Sequence, residues 1–358
     1  MSIDGKTGNL LWKFENFKGG DCITILDKAT VLIQTTGTYK GYLYLLDINT
    51  GKLIWKLYGT QMYNYRTKPV VYKNRIYASH KNQVWAVNMD SGKKEMIIKT
   101  KYEKVSNYIT GTYCDLLIQD DVIYTQLQSK SKKFFLEQYD VSTGNSIEAP
   151  IEIAFASDNS YVKGGIFKDS HYYSISTCES HAIGPRLNYG PDKNDKNQYT
   201  GKTIFCDLDL KAKKLSYQEI DIVNGVIKNS FGNYVVSSAH SSGMIELNGI
   251  IYFSLIVQSA GKENNSKLFT YHLKTQNISV IKDEFYDKLL PIKENIVGVQ
   301  RRKDGLKISV IDANGNIQSE DLYKVRFYEI TDVKLNDDTL YIFGKNEKKE
   351  YELVTCKI

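Results

Sequence analysis

Three sets of side chains in this sequence have types and spacings that could do chemistry. Cys178 and His181 stand in C-x2-H spacing, and Cys206 falls where it could lie across the same hairpin, which would give three zinc ligands. Structural zinc takes four, and the sequence offers no fourth, so the reading is of no metal. The run DKNDKN (192–197) has the oxygen-rich look of a calcium loop. It lacks the glycine of the sharp turn and the closing bidentate glutamate, and reads as a solvated turn. His240 lies among serines in SSAHSSG (237–243), but a Ser–His pair needs a third orienting group and an oxyanion hole, and no nucleophile elbow surrounds it. No phosphate-binding P-loop or dinucleotide fingerprint occurs. These residues point to a chain without catalytic machinery, metal or cofactor.

What the chain does offer is aromatic rings beside cations in long, irregular connections. Tyr63, Tyr65 and Arg66 lie in segment 58–68, Tyr108 in 101–113, Tyr161 in 157–163, Tyr234 and His240 in 227–240, and Arg326 and Tyr328 in 323–328. Arg301 and Arg302 open the short run 301–305. His181, Arg186, Tyr189 and Tyr199 lie in an insertion at 179–201. Tyrosine and arginine are the residues that anchor protein interfaces. The chain has 27 tyrosines, so any one of them is equally explained by wedging between neighbouring sheets. The insertion is not, because a polar excursion with two prolines does nothing to close a core.

The elements that must carry these connections are repeats. DGKTGNLLW (4–12), DINTGKLIW (47–55), NMDSGKKEM (88–96) and DVSTGNSIE (140–148) are copies of one unit, and fainter ones follow at Asp209, His272 and Asp312. The close copies recur at about 40 residues, the length of one four-stranded propeller blade. An apolar run precedes each Asp or Asn, which can bond its own backbone and start a turn. Gly8, Gly51, Gly92 and Gly144 supply left-handed backbone, and a second strand follows. Trp12, Trp55, Met96, Glu148, Tyr217 and Val280 share one position on that outer strand, where a large apolar group suits packing between blades. Two earlier strands complete each unit, as in PVVY and RIYAS around a turn at Lys73 and Asn74.

TKPVVYKNRIY (67–77) followed by VWAVNMDSGKK (84–94) resembles the repeats of the PQQ-like, quinoprotein-type β-propellers, closely over residues 1–150 and loosely beyond. The resemblance implies a single all-β domain over 1–358, a seven-bladed β-propeller of four-stranded antiparallel blades. It also raises a quinone cofactor. The resembling dehydrogenases hold theirs with adjacent cysteines, a Trp platform and a metal. This chain has no adjacent cysteines, and Trp12, Trp55 and Trp85 all sit in repeat positions, so the branch it resembles is the non-enzymatic one.

The chain opens and stops inside a repeat. Tyr351–Ile358 would supply a third strand and Asn9–Phe14 the missing outer strand, so that an N-terminal outer strand and the C-terminal strands close one blade and remove exposed sheet edges. The net charge of +6, from 47 basic and 41 acidic residues, is mild and scattered, which argues against nucleic acid. No apolar run is long enough to span a bilayer. Five cysteines (Cys22, Cys114, Cys178, Cys206 and Cys356) without paired spacing argue against a disulfide framework and for the cytoplasm, where a monomer is the expected state; an upstream leader would move the protein to the envelope, as an assembly scaffold. The function these features favour is recognition of a macromolecular partner, a protein, through the long-loop end of the blades, one version being an immunity-type, toxin-neutralising protein. The alternative is a glycan or small-ligand site, or an enzyme, at a central channel.

Overall fold

A computed structural model describes residues 2–4, 9–14, 22–27, 29–34, 42–58, 69–80, 83–100, 116–128, 134–153, 160–178, 182–183, 203–220, 226–228, 234–236, 240–257, 265–348 and 350–358. Among them the structure is strand and turn, without a helix. The fold class is the seven-bladed β-propeller. Six blades are four-stranded antiparallel meanders whose strands A to D lie side by side in chain order. They run Cys22–Tyr58, Val70–Lys99, Leu116–Ile153, Ser160–Ile220, His240–Lys282 and Lys288–Tyr323, and are numbered blades 1 to 6.

Blade 7 joins both ends of the chain. Phe327–Asn336, Thr339–Asn346 and Tyr351–Lys357 are its strands A, B and C. One feature departs from the sequence expectation. The neighbour of strand C is Ser2–Asp4, running parallel with Ile3 opposite Val354, and Leu10–Trp12 pairs outside it as a fifth strand. The repeat explains why. Ile358 N donates to Asp338 O at 2.9 Å, the bond that Ile48, Met89 and Val141 make just after strand C in blades 1 to 3. The third-strand position is thus filled from the C-terminus, and the N-terminal copy of the same strand is displaced outward.

The chain divides into two compact units. One comprises Met1–Ile153, Arg301–Ile308 and Glu320–Ile358; the other comprises Ala154–Gln300 and Ser309–Ser319. In the first unit the repeat signature is a packing device. The Asp47 carboxylate accepts from Asn49 N, Thr50 N and Thr50 Oγ1 at 2.7–2.9 Å, and Asn88 and Asp140 close their turns in the same way. The fifth residue of each turn is then left-handed, with φ of 69° at Gly51 and 67° at Gly92. Trp12 lies on Gly51 and donates its indole N–H to Ile48 O at 2.8 Å; Trp55 lies on Gly92 and donates to Met89 O at 2.6 Å. Each outer strand therefore locks onto the turn of the next blade. The cores beneath follow the same succession. Trp12 and Tyr44 pack with Phe343 and Leu353, Trp55 with Ile76 and Trp85, and Tyr77 and Ile98 with Ile123 and Tyr139.

In the second unit aromatic stacking takes over. Phe205 and Tyr271 have ring centroids 4.3 Å apart, and Phe253 and Phe269 stack at 5.3 Å. Here the expected outer-strand contact fails. Tyr217 is 67% and Val280 44% exposed, against 9% for Trp12 and 8% for Trp55. The turn facing Tyr217's strand has no glycine to receive a ring: Gln276 stands there, left-handed at φ 57°, and its carbonyl accepts from Gln218 Nε2 at 2.7 Å.

Candidate partner-binding surface

The two ends of a blade differ in what their polar groups do. At the A–B and C–D turns they are consumed by the backbone. Both central residues have positive φ at Lys73–Asn74, Asp120–Asp121, Asp169–Ser170 and Asn248–Gly249, the mark of two-residue type I′ hairpins. Turn hydrogen bonds hold the Asp140 carboxyl at about 2, chiefly that from the Ser142 hydroxyl, and lower Asp47, Asp209 and Asp312 for the same reason. Carboxylates committed in this way are poor recognition groups.

At the other end, in the first unit, sequence-singled residues meet at an irregularity. Strand A of blade 7 pairs Phe327 with Asn346 and Glu329 with Lys345, so Tyr328 is an extra residue with no partner across the ladder. Such a bulge bends the strand and re-aims a side chain. Phe327 turns inward and is buried, while Tyr328 is 61% exposed. The bulge also frees the Tyr328 carbonyl, and Arg301 Nη1 donates to it from the end of strand B of blade 6. Gly344 makes room: a Cβ there would stand 2.3 Å from Glu329 O and 2.6 Å from Phe327 Cδ1.

Arg302, next in the chain, has Nε 3.5 Å from Asp304 Oδ1, and Arg326 has Nη1 3.9 Å from Glu347 Oε1. All four side chains are exposed, so each pair is worth about 0.2–1 kcal/mol. Lys345 Nζ lies 3.9 Å from Glu329 Oε2 and 4.9 Å from the Tyr351 ring centroid. Of the residues singled out by sequence, Arg301, Arg302, Arg326 and Tyr328 therefore lie on neighbouring turns, and Arg301 and Tyr328 touch.

The second unit brings together two other nominated segments. Ala182–Ile183, from the 179–201 insertion, pairs antiparallel with Tyr234–Val235, and Val226–Lys228 completes a three-stranded accessory sheet. Tyr234 lies opposite Ile183 in it, and Tyr161 and His240 sit on the first strands of blades 4 and 5, opposite Thr177 and Ile256. Tyr63, Tyr65, Arg66, Tyr108, His181, Arg186, Tyr189 and Tyr199 lie outside the described residues.

Sequence reasoning missed Gly344 and Lys345. A glycine inside a strand is a signal for a bulge or a close approach, and would have found the first. His171 Nδ1 lies 2.6 Å from Asp207 Oδ1, a pairing that no local spacing signals. Among the described residues no group of three His, Cys, Asp or Glu is placed to hold a metal. No described helix is long and apolar enough to cross a membrane.

Comparison with known proteins bears on the repeats. A PQQ-like family model described as "Outer membrane protein assembly factor BamB" matches residues 1–147. Residues 1–147 are therefore similar to PQQ-like repeats. The match covers the turns in which the Trp–Gly lock operates and ends well before Tyr217 and Gln276, where that lock is lost. No curated protein sequence matches the chain. Among solved structures, the β-propeller domain of the Trilobed protease from Pyrococcus furiosus, described as having an open velcro topology, aligns over 96% of this chain and 94% of that one, with a TM-score of 0.52 at 10% identity. BamB from Moraxella catarrhalis aligns over 90% and 79% (TM-score 0.49, 13% identity), and a europium-containing methanol dehydrogenase over 96% and 86% (TM-score 0.48, 10% identity). The likeness to the Trilobed protease domain is one of fold.

Proposed function

We propose that this PQQ-like propeller is a non-catalytic scaffold that binds a protein partner through the B–C and D–A end of its blades. The observation that carries the reading is the bulge at Tyr328, which aims a large ring outward and is braced by Arg301. A solvent-facing tyrosine held in place beside arginines is how interface anchors are built, and pre-ordering lowers the entropy lost on binding. The family matched over residues 1–147 is described as an assembly factor, a name in keeping with work done on other proteins. A cytoplasmic site of action rests on the cysteine pattern alone. The toxin-neutralising version adds one demand: the partner must lose a toxic activity when bound.

The test is affinity capture with the full chain and two variants. Tyr328→Ala combined with Arg326→Ala should lose the captured protein, while Lys52→Ala combined with Lys93→Ala, on the turn end, should retain it. Equal capture by both would end the assignment.

A further inference from the structure

The same surface carries a bias of charge that names its partner's chemistry. The turns 301–304 and 346–350 and the connection 324–328 present six described cations, Arg301, Arg302, Lys303, Lys324, Arg326 and Lys348, against three carboxylates, Asp304, Glu347 and Glu350. Two of those carboxylates show what the guanidinium groups accept. Asp304 stands 3.5 Å from Arg302 Nε, and Glu347 3.9 Å from Arg326 Nη1. Both are long, exposed pairs of the kind that exchange in solvent. Glu350 is engaged differently, with its backbone N–H and one carboxylate oxygen tied to Asn346. Arginine forks match carboxylates in two-pronged geometry, and the Tyr328 ring lies exposed among them.

We propose that this surface binds an acidic segment of a partner polypeptide, whose glutamate or aspartate side chains displace Asp304 and Glu347 from Arg302 and Arg326 while an apolar or aromatic neighbour covers Tyr328. The proposal rests on the protein-scaffold reading and narrows it. Charge complementarity selects the acidic chain, and the ring favours peptide over a bare anion.

A fluorescein-labelled peptide of alternating Glu and Tyr, titrated with the full chain by anisotropy, tests it. Binding should weaken as ionic strength rises to about 0.15 M and be lost when Gln replaces Glu in the peptide. Arg326→Gln and Arg302→Gln should each weaken it about tenfold, the effect of one charged hydrogen bond, with thermal melting unchanged. Lys93→Gln, on the opposite turns, should have no effect. Equal binding of the Gln peptide, or indifference to both arginine variants, would overturn the proposal. So would equal competition by anionic vesicles or a single-stranded oligonucleotide, which would reveal a general polyanion site. If a natural partner is captured in a Tyr328-dependent way that ignores the arginines, the acidic-segment proposal falls and the scaffold stands. If the peptide binds but no partner depends on Tyr328, the scaffold reading falls instead.

Discussion

Replacing Gly92 with alanine should be far more costly than its small size suggests. Two terms act at this position. Its φ is 67°, where a side chain costs about 1–2 kcal/mol. The new Cβ would also stand 2.7 Å from Trp55 Cδ2 and 2.9 Å from Cε3. The indole cannot tilt away without stretching its 2.6 Å bond to Met89 O, so overpacking adds about 1–3 kcal/mol. The entropy relieved by removing a glycine returns about 0.5–1 kcal/mol, which leaves a net loss of about 1–4.5 kcal/mol. Gly249→Ala isolates the first term, since φ is 76° and nothing lies within 4 Å of the new Cβ; its cost should be about 1 kcal/mol or less. Urea midpoints measure both. In a Trp55→Ala background the cost of Gly92→Ala should fall to that of Gly249→Ala, a coupling that a double-mutant cycle reads directly. Equal costs at the two glycines, or no coupling to Trp55, would refute the lock between blades.

Three further predictions concern the same turns and the core. Lys213 and Gln276 hold φ of 53° and 57° at the position where other copies have glycine; Lys213→Gly should be neutral or stabilising by up to about 1 kcal/mol in urea unfolding. The folded-state pKa of Asp140, about 2, lies below the 3.8 of an ordinary aspartate. Its contribution is therefore complete above 3.8 and lost as pH falls through 2. Melting temperature should drop between pH 4 and 2, and less steeply in Asp140→Asn, because Asn88 shows that an amide oxygen accepts the same turn bonds. Asp332→Ala would remove the carboxylate that accepts from Ile25 N at 2.6 Å, leaving a buried donor at a cost of about 1–3 kcal/mol by chemical denaturation.

The blades were readable because the repeat is itself the packing signal. Asp47, Gly51 and Trp55 are spaced so that one closes a turn, the next clears space and the third fills the space of a neighbour. Where the lock is replaced by stacked aromatics such as Phe253 and Phe269, no fixed spacing survives and the copies fade from the sequence. The role of Tyr217 was misjudged for this reason. The parallel pairing of Ser2–Asp4 beside Tyr351–Lys357 was not readable, because two segments with the same repeat identity compete for one position and only packing decides. The candidate site was half legible. Arg301 and Tyr328 stood out by type, but their contact depends on a bulge that Gly344 permits 16 residues away in sequence. The pairing of insertion 179–201 with segment 227–240 is likewise a long-range event with no local signature.

The most direct test of the account places a photo-reactive benzoylphenylalanine at position 328 and, separately, at position 93, and irradiates each full-length protein in lysate of its own source. Position 328 should yield a discrete protein adduct that excess unlabelled protein competes away, and position 93 should yield none. A competed adduct from 93 with nothing from 328 would show that recognition occurs at the turn end of the blades and would contradict the account.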